Sequence, residues 1–257
     1  ESVYTAILTE QGGVADDAIV ANCGDLTFLL CHGSGSSMEL LQQSAVGLEV
    51  DIQLDDDLHN ISVQGPQALA ILDAHTPMNL AQLPYFHHQA TSLFGYEVRI
   101  SRTGYSGERG YEIFAPAHCV VDIWDQLCEL GVMPCSFTAL DKVRIEAALL
   151  FYGYDMTHEH SAWDVGLGFC VNLAKADFRG KQAVQQRLSK PAFKGVGISI
   201  NHDDALVGGE SLWLNGEEVG VVNSPAYSQR MEQSLALVHL SPGAALAGTK
   251  LEVRSEA

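Results

Sequence analysis

The segment Gly12-Gly13-Val14-Ala15-Asp16-Asp17-Ala18-Ile19-Val20 organises the reading of this chain. A two-glycine turn leads into an apolar run that opens on two adjacent carboxylates. Residues alternate faces along a strand, so Asp16 and Asp17 are expected on opposite sides, one solvated and the other facing an interior cleft. Gly and Asp are also ordinary turn residues, and composition alone is compatible with a solvated turn here. Upstream, Tyr4-Thr5-Ala6-Ile7-Leu8 reads as a strand. Downstream, Ala18 to Asn22 and Phe28 to Cys31 read as two more, separated by the Gly24-Asp25 turn. The stretch from Ser36 to Ala45 then carries Met38, Leu40, Leu41 and Ala45 at helical spacing, with Ser36 or Ser37 as N-cap.

Strands and helices continue to alternate beyond this point. Leu58 to Val63 is a strand, followed by Gly65-Pro66 and a short helix from Gln67 to Leu72. Phe94 to Ile100 and Tyr111 to Ala115 are strands flanking a loop, 101–110, that contains Gly104, Gly107 and Gly110. Val120 to Leu130 and Ala139 to Leu150 read as helices. Past Pro191 the pattern becomes short strands at 195–200, 211–214, 219–222, 234–239 and 250–253, with Asn215-Gly216 as a hairpin turn. This predicts an α+β region over 1–188 and a small C-terminal β-barrel domain over 192–257.

A length of 257 residues fits one to two domains at roughly 150 residues each. With 47% hydrophobic and 18% charged residues, the chain can bury a core and is not of disordered composition. No apolar run approaches the roughly 20 residues that cross a bilayer as a helix. The 14 Lys+Arg against 32 Asp+Glu leave a net charge of −18, which repels phosphate backbones and anionic lipid surfaces. Neither nucleic acid nor membrane is an expected partner. The six cysteines form no CxxC pair and read as free buried thiols of a reducing compartment, which predicts a cytoplasmic protein. The chain starts at Glu1 without a Met and stops mid-pattern at Leu251-Glu252-Val253, so it reads as truncated at both ends, and any native targeting segment would lie outside it.

Several motifs fall short of familiar chemistry. The Arg102–Gly110 loop lacks the Gly-Lys-Ser/Thr ending and following helix of a phosphate loop. Glu112, between Tyr111 and Ile113 in a strand, is either on the wet face or buried with partners. The pairs His87/His88 and His158/His160 lack helical i,i+4 spacing and a third ligand, so no metal is expected. Asp55-Asp56-Asp57 lacks the Gly and closing Glu of a calcium loop. Gly33-Ser34-Gly35-Ser36-Ser37 does not satisfy G-x-S-x-G.

Taken in order, a set of segments resembles the aminomethyltransferase (glycine cleavage T-protein) family. The set begins with Tyr4-Thr5, Gly12-Gly13-Val14 and Asp16-Asp17, then Val63-Gln64-Gly65-Pro66-Gln67-Ala68. It continues with Gly104-Tyr105-Ser106-Gly107-Glu108, Tyr111-Glu112-Ile113, Arg144-Ile145-Glu146-Ala147 and Tyr152-Gly153-Tyr154-Asp155. Asp177-Phe178-Arg179-Gly180-Lys181, Gly220-Val221-Val222-Asn223-Ser224, Ser228 and Ala236-Leu237 complete it. The resemblance implies a multi-domain ring around a central folate channel, its third domain being the small C-terminal β-barrel. Residues 1–46 with 134–185 would form one subdomain and 47–133 another. It also implies binding of tetrahydrofolate and transfer of a methylene from a lipoyl-bound aminomethyl group, with release of ammonia. The donor partner is then a lipoyl carrier protein, and no metal is needed.

By the same resemblance, Asp17 matches the catalytic carboxylate, Glu112 the residue that holds the pterin, and Tyr105 a lining residue. The residue types suit these roles. A pterin edge offers a ring N–H beside an exocyclic amine, and a carboxylate accepts both as a fork. A carboxylate beside N5 orients it and accepts a proton, and an aromatic ring packs on a flat heterocycle. Three positions depart from the family pattern: Leu140 stands where an Arg is usual, His32 replaces an Asn, and Phe169 replaces a Trp. Loss of the Arg removes a rigid fork for carboxylates. Two alternatives therefore stay open within one-carbon chemistry: a folate-dependent demethylase, and the folate domain of a flavin-linked demethylating oxidase. A third is a non-enzymatic folate-binding assembly protein, whose Lys-Gly-Cys-Tyr-x-Gly-Gln signature lacks its Cys at Asp177–Gln182 here.

Overall fold

A computed structural model describes residues 1–33, 37–188 and 191–255. Ser34, Gly35 and the candidate N-cap Ser36 lie outside the described residues. Mixed α+β architecture is observed: the described residues form twelve strands in three sheets, with five α-helices.

Strands β1 (Ser2–Leu8), β2 (Val14–Gly24) and β3 (Thr27–His32) form a three-stranded sheet in that order, followed by helix α1 (Ser37–Ala45). β2 is longer than Ala18–Asn22 and takes Asp16 and Asp17 into the strand. Gly13 makes this start possible. A Cβ on Gly13 would fall 1.7 Å from the His158 carbonyl oxygen. With no side chain there, Gly13 bridges to Ser161 and the Val14 N–H donates to the His160 carbonyl at 2.9 Å.

The chain divides into two compact units. The first comprises Glu1–Val3, Val20–Leu29 and Asp51–Val143. It contains β4 (Leu58–Gln64), α2 (Ala68–Asp73), β5 (His88–Leu93), β6 (Tyr96–Ser101), β7 (Gly110–Pro116) and α3 (Ala117–Glu129). The strands form an antiparallel sheet in the order β4-β7-β6-β5. Alternation sends Ile61, Val63, Val98, Ile100, Tyr111, Ile113 and Ala115 into a core with Leu72, Leu80 and Cys119, Ile123 and Leu127 of α3. Each large apolar side chain so buried contributes roughly 1.5–3 kcal/mol. In register, Ser62 and Ser101 both face Glu112, and Gln64 faces Gly110. These polar residues therefore share the sheet face opposite the core.

Strand β5 has no counterpart in the sequence reading, which starts a strand at Phe94. Phe94 and Gly95 instead form the hairpin turn, with φ of 52° and 88°. Phenylalanine is an uncommon left-handed residue, so the apolar Leu93-Phe94 pair conceals a turn. Helix α4 (Phe137–Glu146) stops short of Leu150, where Ala148 turns left-handed at φ 56°.

The second unit comprises Tyr4–Ile19, Leu30–Val50 and Arg144–Ala257. Its helix α5 (Lys181–Arg187) precedes strands β8 (Lys194–Ile200), β9 (Ser211–Leu214), β10 (Glu217–Ser228), β11 (Gln233–Leu240) and β12 (Glu252–Arg254). Asn215 and Gly216, at φ 53° and 87°, form the β9–β10 hairpin turn as expected. The antiparallel order is β12-β9-β10-β11-β8. Among the described residues the sheet of this barrel-like domain is open, with β12 and β8 as its two edges. Bulges at Val222/Ser224 and Glu218/Gly220 bend it around Leu212, Val222, Ala236, Val238 and Leu240.

Candidate functional site

In the second unit, β2 presents the two carboxylates. Asp16 is fully buried. Its Oδ2 accepts from the Ser37 hydroxyl at 2.5 Å and lies 3.4 Å from His32 Nδ1, while Oδ1 accepts the Asp17 backbone N–H at 2.9 Å. Asp17 is half-buried, and its Oδ2 accepts from the Tyr4 hydroxyl at 2.8 Å. Asp16 is the interior member of the pair, sealed by Ser37 at the start of α1, while Asp17 keeps partial access to solvent. Burial pushes the Asp17 carboxyl above its ordinary range, and the Asp16 charge adds to this; the Tyr4 hydrogen bond acts against it. A carboxyl with a raised pKa is suited to proton transfer closer to neutral pH. The exposed Phe169 ring stacks on Tyr4 with centroids 6.2 Å apart.

In the first unit, Glu112 lies on β7, on the polar face of its sheet. Oε1 accepts from Asn60 Nδ2 at 2.8 Å and Oε2 from the Thr103 hydroxyl at 2.5 Å. The carboxylate is thus half-buried with one donor on each oxygen, intermediate between the two environments considered from sequence. Tyr105 is half-buried in the β6–β7 loop, in the same unit as Glu112. The sequence reading does not single out Asn60 or Ser62, and takes Gln64 only within the Val63–Ala68 segment. Their alternation with Ile61 and Val63 in Asn60-Ile61-Ser62-Val63-Gln64 is the period-two signal of a polar face.

Three of the ordered sequence segments converge in the second unit. The Arg144 guanidinium, 2% exposed, donates to Asp155 Oδ2 at 2.5 Å, to the Leu149 carbonyl at 3.2 Å and to Ser224 Oγ at 2.9 Å. Asn223 Nδ2 donates to the Tyr154 carbonyl at 3.1 Å, and His239 Nε2 lies 2.7 Å from the Asp155 carbonyl. Arg179 joins Glu10 Oε1 at 2.9 Å to the Leu40 carbonyl and Ser44 hydroxyl at 2.8 and 2.7 Å. Arg179 thereby ties its own segment to Glu10 and to α1.

Family models match in the same order as these segments: the GCVT N-terminal domain over residues 1–175, and the glycine cleavage T-protein C-terminal barrel domain over 194–257. The chain belongs to the glycine cleavage T-protein family. The crystal structure of the glycine cleavage system aminomethyltransferase T from Bartonella henselae superposes with a TM-score of 0.91 at 27% identity, covering 100% of this chain and 72% of that one. The heme-dependent oxidative N-demethylase gamma subunit of Ectopseudomonas mendocina (strain ymp) is 42% identical over 99% of this chain and 71% of its own length. An aminomethyltransferase of Synechococcus elongatus is 31% identical over 98% of this chain and 70% of its own.

Against the T-protein family pattern, the structure places the departures as follows. Leu140 is half-buried on α4, His32 sits beside Asp16, and Phe169 stacks on Tyr4. Among the described residues no group of three or more His, Cys, Asp or Glu is arranged to hold a metal ion. No helix of the described residues is long and apolar enough to cross a membrane. The cysteines are free, but Cys135 is exposed and only Cys119 fully buried, which corrects the expectation that all are buried.

Proposed function

We propose that this chain is a tetrahydrofolate-dependent one-carbon transferase that receives its one-carbon unit from oxidative N-demethylation. The observation that supports folate binding is the double orientation of Glu112. A carboxylate offers about four lone-pair positions. Asn60 and Thr103 use one on each oxygen, and the pair left over matches the two parallel donors of a pterin edge. Tetrahydrofolate supplies the nitrogens, N5 and N10, that take up a one-carbon unit. In this reading Glu112 anchors the pterin, Tyr105 packs on it, and Asp17 accepts and returns the proton at N5.

The donor assignment follows the relatives. The family member at 42% identity is named as the gamma subunit of an N-demethylase, whereas aminomethyltransferases stand at 30–34%. Oxidative removal of an N-methyl group leaves carbon at the formaldehyde level. Its capture between two nitrogens is a condensation with loss of water and needs no further oxidant. Leu140, in place of a carboxylate-binding Arg, fits a changed donor. Companion demethylase subunits are then the protein partners. A second reading keeps the lipoyl-bound aminomethyl donor and ammonia release, and rests on the aminomethyltransferase relatives.

Calorimetric titration of tetrahydrofolate into the full-length protein and its Glu112→Ala variant tests the folate site. Saturable binding that the variant loses is the expected result; unchanged affinity in the variant overturns it. Methylene-tetrahydrofolate formation then separates the donors. Acceleration with formaldehyde above the protein-free rate, lost in Asp17→Asn, supports demethylation. Ammonia release from an aminomethylated lipoyl carrier supports the second reading.

A further inference from the structure

We infer that Gln64 is a positioning residue that sets Glu112 for its ligand through the backbone and hydroxyl of Thr103, an inference that rests on the folate reading of Glu112. Gln64 closes β4, and its side chain lies across the mouth of the β6–β7 loop. Its Nε2 donates to Ser62 Oγ at 3.0 Å and lies 3.3 Å from the Thr103 carbonyl and 3.4 Å from the Tyr111 carbonyl, so its two hydrogens are shared among β4 and both stems of the loop. Its Oε1 accepts from the Ser106 hydroxyl at 3.0 Å, so it holds the middle as well.

The space for this amide exists because two loop residues lack a side chain. A Cβ on Gly104 would come within 2.2 Å of the Gln64 amide, and one on Gly110 within 2.0 Å. Gly104 and Gly110 therefore make room for an interior polar clamp, although the run looks like a phosphate loop in sequence. Thr103 is the link to the carboxylate. It is buried, its carbonyl is held by Gln64, and its hydroxyl donates to Glu112 Oε2 while lying 2.8 Å from Ser101 Oγ. A loop released from Gln64 carries the Thr103 hydroxyl away from Oε2, and the carboxylate loses one of its two orienting donors. Pre-organised donors of this kind act by fixing geometry before the ligand arrives.

The test is a double-mutant cycle on tetrahydrofolate affinity, read by calorimetry on the full-length protein: wild type, Gln64→Ala, Glu112→Ala and the double variant. Gln64→Ala is expected to weaken binding about tenfold, and to have no further effect once Glu112 is gone. Unchanged affinity in Gln64→Ala beside a weakened Glu112→Ala overturns the inference and leaves the folate site standing. An equal Gln64 effect in both backgrounds also overturns it, because Gln64 then does not act through Glu112. Unchanged affinity in Glu112→Ala removes the folate reading and the inference together. If Gln64→Ala does not fold, Thr103→Val and Thr103→Ser decide. Loss in the valine variant restored by serine supports the relay, and full affinity in the valine variant overturns it.

Discussion

The Tyr4 hydroxyl donates to Asp17 Oδ2 at 2.8 Å, joining an aromatic of β1 to the carboxylate of β2 that we propose for proton transfer. This bond stabilises the ionised carboxylate against burial and the neighbouring Asp16, which both disfavour ionisation. Tyr4→Phe removes the stabilising partner, so the Asp17 carboxyl should titrate at still higher pH. The acidic limb of the pH–rate profile is expected to move upward, and an unmoved limb would remove Asp17 from the rate-controlling proton transfer.

Asp17→Asn separates chemistry from stability. Loss of the proton acceptor is expected to lower turnover about 10²–10⁴-fold. Stability should move the other way. Burial raises the folded-state pKa above the ordinary 3.8, so the native chain binds protons more tightly than the unfolded chain and loses stability as pH rises through that window. At neutral pH the ionised Asp17 is a cost that asparagine removes. Thermal melts should show a higher Tm for the variant at pH 7, with the gain disappearing below pH 3.8. A lower Tm at pH 7 contradicts this account.

Arg144→Met should be among the most damaging single changes. It leaves Asp155, 2% exposed, without its cation, and frees Ser224 and the Leu149 carbonyl. Breaking one half of a buried pair costs about 3–5 kcal/mol. Urea denaturation should show that loss, and adding Asp155→Asn should recover part of it by removing the stranded charge.

Acid should loosen the second unit through two imidazoles. The His160 and His239 rings meet edge to face at 4.9 Å, and Phe193 stacks on His239 at 3.9 Å. Burial lowers the pKa of both, and for His160 the neighbouring His239 lowers it further. Unfolded histidine titrates near 6.5, so below that pH unfolding takes up protons that the native state refuses. The contribution is full above pH 6.5 and falls as the solution is acidified. Melting temperatures between pH 7.5 and 5.5 should decline in the wild type and decline less in His239→Gln.

Alkylation should discriminate among the thiols. Burial pushes the Cys170 thiol up to about 11, so at pH 8 it is almost wholly protonated and inert. Cys135 is exposed. Brief treatment with iodoacetamide followed by peptide mass mapping should label Cys135 and spare Cys170.

Much of the architecture was legible in the chain because it is written in local patterns. The alternation of β1, the helical spacing after Ser37 and the Asn215-Gly216 turn each follow from short-range sterics and side-chain periodicity. Missed elements are those in which a residue acts against its type. Phe94 turns left-handed and hides the β5–β6 hairpin, and Ala148 ends α4 before its apolar run is exhausted. The strand order of the C-terminal sheet is likewise not legible in the chain, because strand content does not reveal which edges pair.

The family resemblance singled out Asp17 and Glu112 as the carboxylates worth following; by itself, the sequence determined the α+β class and the order of motifs that marks the family. These depend on residue type and spacing, which survive without contacts. Tertiary structure alone decided what those carboxylates meet. It buried Asp16 with Ser37 and bonded Asp17 to Tyr4. It placed Asn60 and Thr103 on the two oxygens of Glu112, and it laid Gln64 into space that Gly104 and Gly110 leave open. Partners such as Asn60 and Glu112 are separated by 52 positions in the chain. Their meeting depends on strand register, and register is set by how the whole sheet buries its apolar face.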